Sequence, residues 1–288
     1  MNDNFNLGTP NKRSIKLLVF GNSYGNDAVG YLERMLRCGG YEEIVIGHAG
    51  ESLMTINDHY HNIDDDPTND YIYKDHTFSV HYKTVNGEGV KLPADYKAIV
   101  RDEPWDYVIF YQGPNNSETL TEEKYYSELL GFLSALRENM TNPEGKILYY
   151  MTWAHNVSDT RALYDRIVDI TKRLITDNPF IGGVIPAATL IENLRTSYLD
   201  CGSGGDITRD WGHLNYGIGR YSMALLWYAY LTGGEVTDID FMPTRESEGR
   251  DTEFTDVCDS NIALIREAVT SALKSPYALT ESSYKVKP

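Results

Sequence analysis

Residues 14–38 read SIKLLVFGNSYGNDAVGYLERMLRC, and their pattern indicates the kind of fold. Its first eight residues form a short apolar run, rich in side chains that favour strands, which ends at Gly21. GNSYGN follows as a tight turn, and from Asp27 onward the apolar residues recur at helical spacing. The stretch therefore predicts a strand, a tight turn and a helix.

The same alternation recurs along the chain. Further strands are predicted at EEIVIGH (42–48), WDYVIFYQ (105–112), KILYYMTWA (146–154) and FIGGVIPA (180–187). Helices are predicted at 123–139, 162–177, 214–233 and 261–274. Strands that read as continuous apolar runs between helices are buried on both faces. We therefore expect an α/β fold, a three-layer αβα sandwich around a parallel sheet.

At 288 residues the chain is long enough to bury one sizeable core, and we expect a single domain over residues 1–275. Residues 54–104 break the alternation. They contain an acidic loop and a hairpin pattern with an Asn86-Gly87 turn, and we interpret them as an insertion on the rim of the sheet. Residues 276–288 are polar, and we expect this tail to be frayed.

The charge excludes two classes of partner. Asp and Glu number 42 against 26 Lys and Arg, which gives a net charge of −16. An acidic chain without a basic cluster repels nucleic acid and anionic membranes, and its apolar runs are too short to cross a bilayer. The start is polar and has no apolar signal region, so we expect a cytoplasmic chain, or an exported one whose signal has been removed.

Three cysteines, Cys38, Cys201 and Cys258, are too few and too far apart for a disulfide framework or a CxxC metal site. We expect thiols without a role, with a bridge between Cys201 and Cys258 as the alternative.

Open α/β sheets bind their ligands at the carboxyl ends of the strands, so the loops after the predicted strands hold the candidate site. After the first strand, Ser23 stands at the start of a helix, where unpaired N–H groups and the positive end of the helix dipole stabilise an oxyanion. The alternative is that Ser23 only caps the helix.

Asp210-Trp211-Gly212-His213 follows the last predicted strand. In a tight turn this spacing lets Asp210 accept from one ring nitrogen of His213 while the other nitrogen faces a serine, which is the arrangement of a general base. Asp58 and His61 have the same spacing but lie in the predicted insertion, so they are the weaker alternative. His59 and His61 with Asp64, Asp65 and Asp66 form an alternative metal site, against a plain acidic loop.

Two further loops offer donors for an oxyanion. Gly50 follows the second strand and suits a close approach of the backbone. Asn115 follows the third strand, in Gln112-Gly113-Pro114-Asn115-Asn116. Each of these loops alone also fits a plain turn.

In this order, the four blocks resemble the motifs of the SGNH hydrolases, also called GDSL-type esterases. The resemblance implies a flavodoxin-like sandwich. It implies Ser23 as nucleophile, His213 as base, Asp210 as the carboxylate that orients it, and an oxyanion hole of the Ser23 N–H, the Gly50 N–H and the Asn115 side chain. GNS replaces the family's GDS, so Asn22 lacks a charge, and Gln112 is a rival to Asn115 as donor. These features and the block at 151–155 are similar to a bacterial branch of the superfamily, which implies no substrate.

Aromatic residues at strand ends, Tyr24, Tyr111 and Trp153, either stack on sugar rings or pack in the core. Tyr24, Gln112 and Trp153 are the candidate substrate contacts. Without a long apolar lid helix, the sequence favours a serine esterase that removes short acyl groups, acetyl above all, from a carbohydrate. The alternatives are a lipase or thioesterase for longer chains, and a glycan-binding module without catalysis. No nucleotide-binding glycine motif appears, and we expect no cofactor, metal or protein partner.

Overall fold

The computed structural model describes residues 13–50, 54–64, 82–91, 95–113, 121–155 and 159–287. The apolar run at the start forms strand β1 (Arg13–Gly21), but the predicted single helix is two, α1 (Ser23–Val29) and α2 (Leu32–Cys38). The break falls at Gly30, where an added Cβ would lie 3.1 Å from Arg220 Cδ, so the chain turns where another element packs closely.

Within the described residues the strands form one sheet. The others are β2 (Tyr41–Gly50), β3 (Tyr82–Val85), β4 (Glu88–Lys91), β5 (Tyr107–Phe110), β6 (Lys146–Tyr150) and β7 (Ile181–Ile185). They lie in the order β4-β3-β2-β1-β5-β6-β7. The strands β2, β1, β5, β6 and β7 are parallel and follow the flavodoxin-like order 2-1-3-4-5. The five core strands are parallel, as expected. The whole sheet is mixed, because β3 and β4 add an antiparallel hairpin at one edge.

Helices cover both faces of this sheet. They are α3 (Ile56–Asp64), α4 (Tyr96–Arg101), α5 (Glu123–Asn139), α6 (Thr160–Ile170), which continues into a π-helical turn (Thr171–Ile175), α7 (Ala187–Arg195), α8 (Ile218–Thr232) and α9 (Ile262–Lys274). Leu17 and Val19 of β1 pack with α1, α2, α7, α8 and α9, whereas Leu18 and Phe20 pack with α3, α4, α5 and α6. Alternate side chains of one strand therefore enter two apolar cores, and the fold is the expected three-layer αβα sandwich.

The segment expected to be a rim insertion is more than that. Its hairpin is present, and the two-residue turn has Asn86 at φ 52° and Gly87 at φ 88°, as a tight hairpin turn requires. The same segment also supplies α3 and α4, whose Ile56 and Ile99 are fully buried against the sheet. It thus builds part of one helical layer. Asp65 and Asp66 of the acidic loop lie outside the described residues.

The expectation of a frayed tail is wrong for residues 276–287. The N–H of Thr280 donates to Asn193 Oδ1 at 2.7 Å, and the N–H of Ser282 donates to Thr196 Oγ1 at 2.8 Å. Polar side chains at the end of α7 thus satisfy the backbone of the tail. All three cysteines are free, which removes the alternative of a Cys201–Cys258 bridge. Among the described helices, none combines the length and the apolar character that a bilayer span needs.

Candidate active site

Strand β1 lies between β2 and β5, where the strand order reverses, and open α/β sheets bind their ligands at such a point. Ser23 is the first residue of α1 at this point, and Asn22 is the residue that caps the helix. The side chain of Asn22 accepts from the Tyr24 N–H at 3.1 Å and donates to the Met54 carbonyl at 3.1 Å. An amide can do both, whereas a carboxylate could only accept, so Asn22 suits the position without a charge.

The turn beneath Ser23 is fixed by the hydroxyl of Tyr111. This oxygen accepts from the N–H of Asn22 at 2.5 Å and from that of Gly25 at 2.8 Å, and it donates to the Asn22 carbonyl at 2.8 Å. Burial raises the pKa of Tyr111, so the hydroxyl keeps its proton. An added Cβ on Gly21 would lie 2.1 Å from the Tyr111 ring, so glycine is required there.

The structure brings Ser23, His213 and Asp210 together across 190 residues of chain. Ser23 Oγ lies 2.7 Å from His213 Nε2, and His213 Nδ1 lies 2.8 Å from Asp210 Oδ2. The other oxygen of Asp210 accepts from the N–H groups of Gly212 and His213 at 2.7 and 2.6 Å. Burial tends to raise the pKa of Asp210, but these hydrogen bonds and the His213 ring outweigh it and hold that pKa below its usual value.

The ring of Tyr24 supports the imidazole of His213. The two rings stack with centroids 5.3 Å apart, and the centroid of the His155 ring lies 5.6 Å from that of Tyr24. The Tyr24 hydroxyl also hydrogen-bonds His155 Nε2. Burial lowers the pKa of His155 to about 4 and raises that of Tyr24, so at neutral pH the hydroxyl donates to a neutral imidazole. Gly212 leaves room for the hydroxyl, since an added Cβ would lie 2.4 Å from it.

A buried carboxylate ties the turn at 210–213 to helix α1. Asp27 is fully buried and accepts from Arg209 Nη1 at 2.9 Å, from Arg220 Nη2 at 2.7 Å and from the Leu214 N–H at 2.8 Å. It thereby holds residues on both sides of the turn. Asp27 was not among the expected site residues; its position four residues after Ser23, on the same face of α1, was the available signal.

Two of the expected oxyanion donors, Ser23 and Gly50, lie at the carboxyl ends of the neighbouring strands β1 and β2. Gly50 pairs with Gly21 at the last position of both strands. Its φ is 156°, and an added Cβ would lie 1.6 Å from the Gly21 carbonyl oxygen, so no other residue fits. Asn115 lies outside the described residues. Gln112, its rival, is buried and accepts from the Ile56 N–H at 2.9 Å, so its amide oxygen serves the start of α3.

The expected substrate contacts Tyr24 and Trp153 require a correction. Trp153 is fully buried, donates from Nε1 to the Gly212 carbonyl at 2.8 Å and packs on the Tyr24 ring. Tyr24 is 8% exposed. Both rings support the turn from beneath, because the carboxyl edge of the sheet is closed there by the loop that carries Asp210 and His213. Trp211, in the same loop, is exposed to solvent and was not among the expected substrate contacts.

In the alternative pair, Asp58 and His61 contact other residues instead of each other. Asp58 accepts from the N–H and the hydroxyl of Thr55 at 2.8 Å each, as a cap at the start of α3, and His61 faces Glu128. His59 is buried among aromatic rings. In the part of the chain that the structure describes, no three His, Cys, Asp or Glu side chains are grouped as a metal site would require.

Comparison with known proteins gives a family. The model of a family described as "Domain of unknown function (DUF4886)" matches residues 16–257. The chain is similar to a DUF4886 family protein from Bacteroides uniformis ATCC 8492, whose crystal structure is 26% identical with a TM-score of 0.76 and covers 93% of this chain and 98% of its own. A lipase, Lip_vut3, from a goat rumen metagenome is 12% identical with a TM-score of 0.46, over 75% of this chain and 98% of its own. No curated protein matches the chain.

Proposed function

The chain belongs to the DUF4886 family, and we propose that it is a serine esterase that removes short acyl groups, acetyl above all, from carbohydrates. One observation carries the proposal: Ser23 Oγ, the His213 ring and the Asp210 carboxylate form a continuous hydrogen-bonded series, with contacts of 2.7 and 2.8 Å. This is the arrangement of a nucleophile, its base and the group that orients the base. It also agrees with the resemblance of the four sequence blocks to the SGNH hydrolases.

In the proposed reaction His213 Nε2 takes the proton of Ser23 as Oγ attacks the acyl carbon. The tetrahedral intermediate collapses, the bond to the sugar oxygen breaks, and the protonated His213 gives its proton to that oxygen. His213 then deprotonates a water that attacks the acyl-enzyme, which releases the carboxylic acid and restores Ser23. Asp210 keeps the proton of His213 on Nδ1, so that Nε2 presents its lone pair to Ser23.

For the developing oxyanion we propose the N–H of Ser23, the N–H of Gly50 and the side chain of Asn115. The first N–H groups of a helix have no partner within it. Here Asn22 and Tyr111 take those of Tyr24 and Gly25, which leaves the N–H of Ser23 for the substrate. For Gly50 the support is its position at the end of β2, opposite Gly21 of β1 and next to the turn that carries Ser23.

A polar alcohol fits this site better than a long acyl chain. The side chains of His213 and Asp210 are 28% and 37% exposed, which supports the access of a large hydrophilic leaving group to the pair. Large apolar side chains are exposed at isolated positions in the described part of the chain, and so give a fatty acyl chain no continuous surface there.

The test is labelling with a fluorophosphonate probe, with the adduct located by mass spectrometry. We expect the label on Ser23 in the wild type, none on Ser23→Ala, and a labelling rate at least about 1,000-fold lower in His213→Ala. Ser14→Ala removes an exposed serine at the opposite end of β1 and should label normally.

Esters of p-nitrophenol with two to eight acyl carbons separate the alternatives. Highest kcat/KM on the acetyl ester supports the proposal, whereas a maximum on the longest chains favours the lipase or thioesterase. If folded wild type neither takes the label nor hydrolyses any ester, the proposal is wrong and glycan binding without catalysis is the function to test next.

A further inference from the structure

We propose that Trp211 binds a neutral sugar ring of the substrate beside the acyl group on Ser23; this inference rests on the proposed function and names its substrate contact. Trp211 is 55% exposed, whereas Trp105, Trp153 and Trp227 are fully buried. An exposed indole forgoes the burial that stabilises the other three, and this one lies in the turn between Asp210 and His213, beside the proposed nucleophile.

The indole is presented on a rigid support. Asp210 accepts from the N–H groups of Gly212 and His213, which fixes the backbone on the C-terminal side of Trp211. The rings of His155 and Trp211 form a T-shaped pair, with centroids 4.5 Å apart and planes at 80°. His155 is 4% exposed and is itself held by the Tyr24 hydroxyl. A ring that is held before binding loses little conformational entropy when a ligand stacks on it.

Trp211 also lies close to the proposed catalytic residues. Trp211 is two residues from His213, so their Cα atoms are at most about 7 Å apart. His213 contacts Ser23 Oγ at 2.7 Å. A sugar ring on Trp211 would therefore be the acylated residue or its neighbour in an oligosaccharide, and the stacking would orient the ester towards Ser23.

The surroundings favour a neutral sugar over the other ligands of an aromatic ring. The face of an indole is electron-rich and attracts the C–H groups of a sugar face, while polar hydroxyls remain in water. The other large apolar residues exposed in the described part are Val90, Met242 and Val286, and none of them belongs to the turn. Trp211 thus lacks the apolar surroundings that a lipid chain needs. With Asp210 adjacent and a net charge of −16, an anionic glycan is disfavoured.

Because Trp211 is the exposed tryptophan, its fluorescence reports binding directly. In Ser23→Ala, which cannot turn the ligand over, we expect acetylated xylotetraose to shift and quench the tryptophan emission saturably. Ser23→Ala with Trp211→Ala should show no such change, and Ser23→Ala with Met242→Ala should respond like Ser23→Ala. These titrations do not need catalysis.

Kinetics supply the second readout in the enzyme with Ser23 intact. Trp211→Ala should lower kcat/KM on acetylated xylotetraose, mainly through KM, by about tenfold more than on p-nitrophenyl acetate, and Trp211→Phe should recover part of the loss. Equal losses on the two esters, or no loss on the oligosaccharide, would overturn the proposal. Saturable quenching through Trp211 in a protein that hydrolyses neither ester would support the sugar contact and refute the esterase.

Discussion

Tyr24 and His155 form a hydrogen-bonded pair of rings next to the proposed base, His213. The Tyr24 ring stacks on that of His213, and the Tyr24 hydroxyl hydrogen-bonds His155. Burial lowers the pKa of His155 to about 4, so this imidazole stays neutral while it accepts from Tyr24. A protonated His155 could not accept that hydrogen bond, so the bond would reverse, with the Tyr24 oxygen as the acceptor and a charge buried behind the site.

We therefore expect His155 to make folding depend on pH. Its folded pKa lies below the value of about 6.5 for an unfolded histidine, so the unfolded state binds more protons between these values. The stabilisation is complete above pH 6.5 and is lost as the pH falls towards 4, by about 2 kcal/mol. Urea unfolding at pH 7.5, 6, 5 and 4 measures it.

The matched control is His155→Gln, because its side-chain oxygen can still accept from Tyr24 but does not titrate. The difference in unfolding free energy between wild type and this variant should shrink or change sign as the pH falls. Parallel curves for the two proteins would show that His155 is not the titrating group.

The position of the short helix α1 depends on the buried carboxylate of Asp27. Helix α1 has seven residues, too few to be stable alone. Asp27 on this helix bonds Arg209 and Arg220 and the backbone of Leu214, so the helix that carries Ser23 and the turn that carries His213 share one carboxylate. Their relative position, and with it the contact from Ser23 to His213, depends on this network.

Asp27→Asn should destabilise the protein by about 3–5 kcal/mol, since it leaves the guanidinium groups of Arg209 and Arg220 without their buried partner. Urea unfolding at pH 7 gives the value. Asp165→Asn is the control, because it breaks an exposed pair with Arg161 and should cost less than about 1 kcal/mol. Equal costs for the two variants would mean that the Asp27 network does not hold α1.

The elements also show what the sequence pattern can and cannot predict. Strand runs flanked by turns were predictable, because burial on both faces leaves a continuous apolar signal. Helix α7 was missed, because every residue from Ala187 to Leu194 is buried and an evenly buried helix has no amphipathic period. Helices α3 and α4 were missed because they are short and lie beside a hairpin pattern that dominated the interpretation.

Across the whole molecule, topology explains which site residues could be found. Ser23 and His213 both stand in short local motifs that the sequence shows. Ser23 follows β1 directly, whereas His213 comes after β7 and α7 along the chain and is brought back to Ser23 by the fold. The contact of Tyr111 with Gly25 spans 86 residues and that of Tyr24 with His155 spans 131. Such partners are chosen by the packed fold and leave no mark at any fixed spacing along the chain.

The net charge of −16 should affect how fast charged substrates approach the protein. A long-range negative field slows the approach of anionic esters, and salt screens it over about 10 Å at 0.1 M. For a p-nitrophenyl ester of succinate with a free carboxylate, kcat/KM should rise several-fold between about 10 mM and 500 mM NaCl. Its methyl-capped counterpart has the same acyl chain without the charge and should change less than about twofold. If both esters respond to salt alike, the field does not act on substrate approach, and the preference for neutral carbohydrate must come from contacts at the site alone.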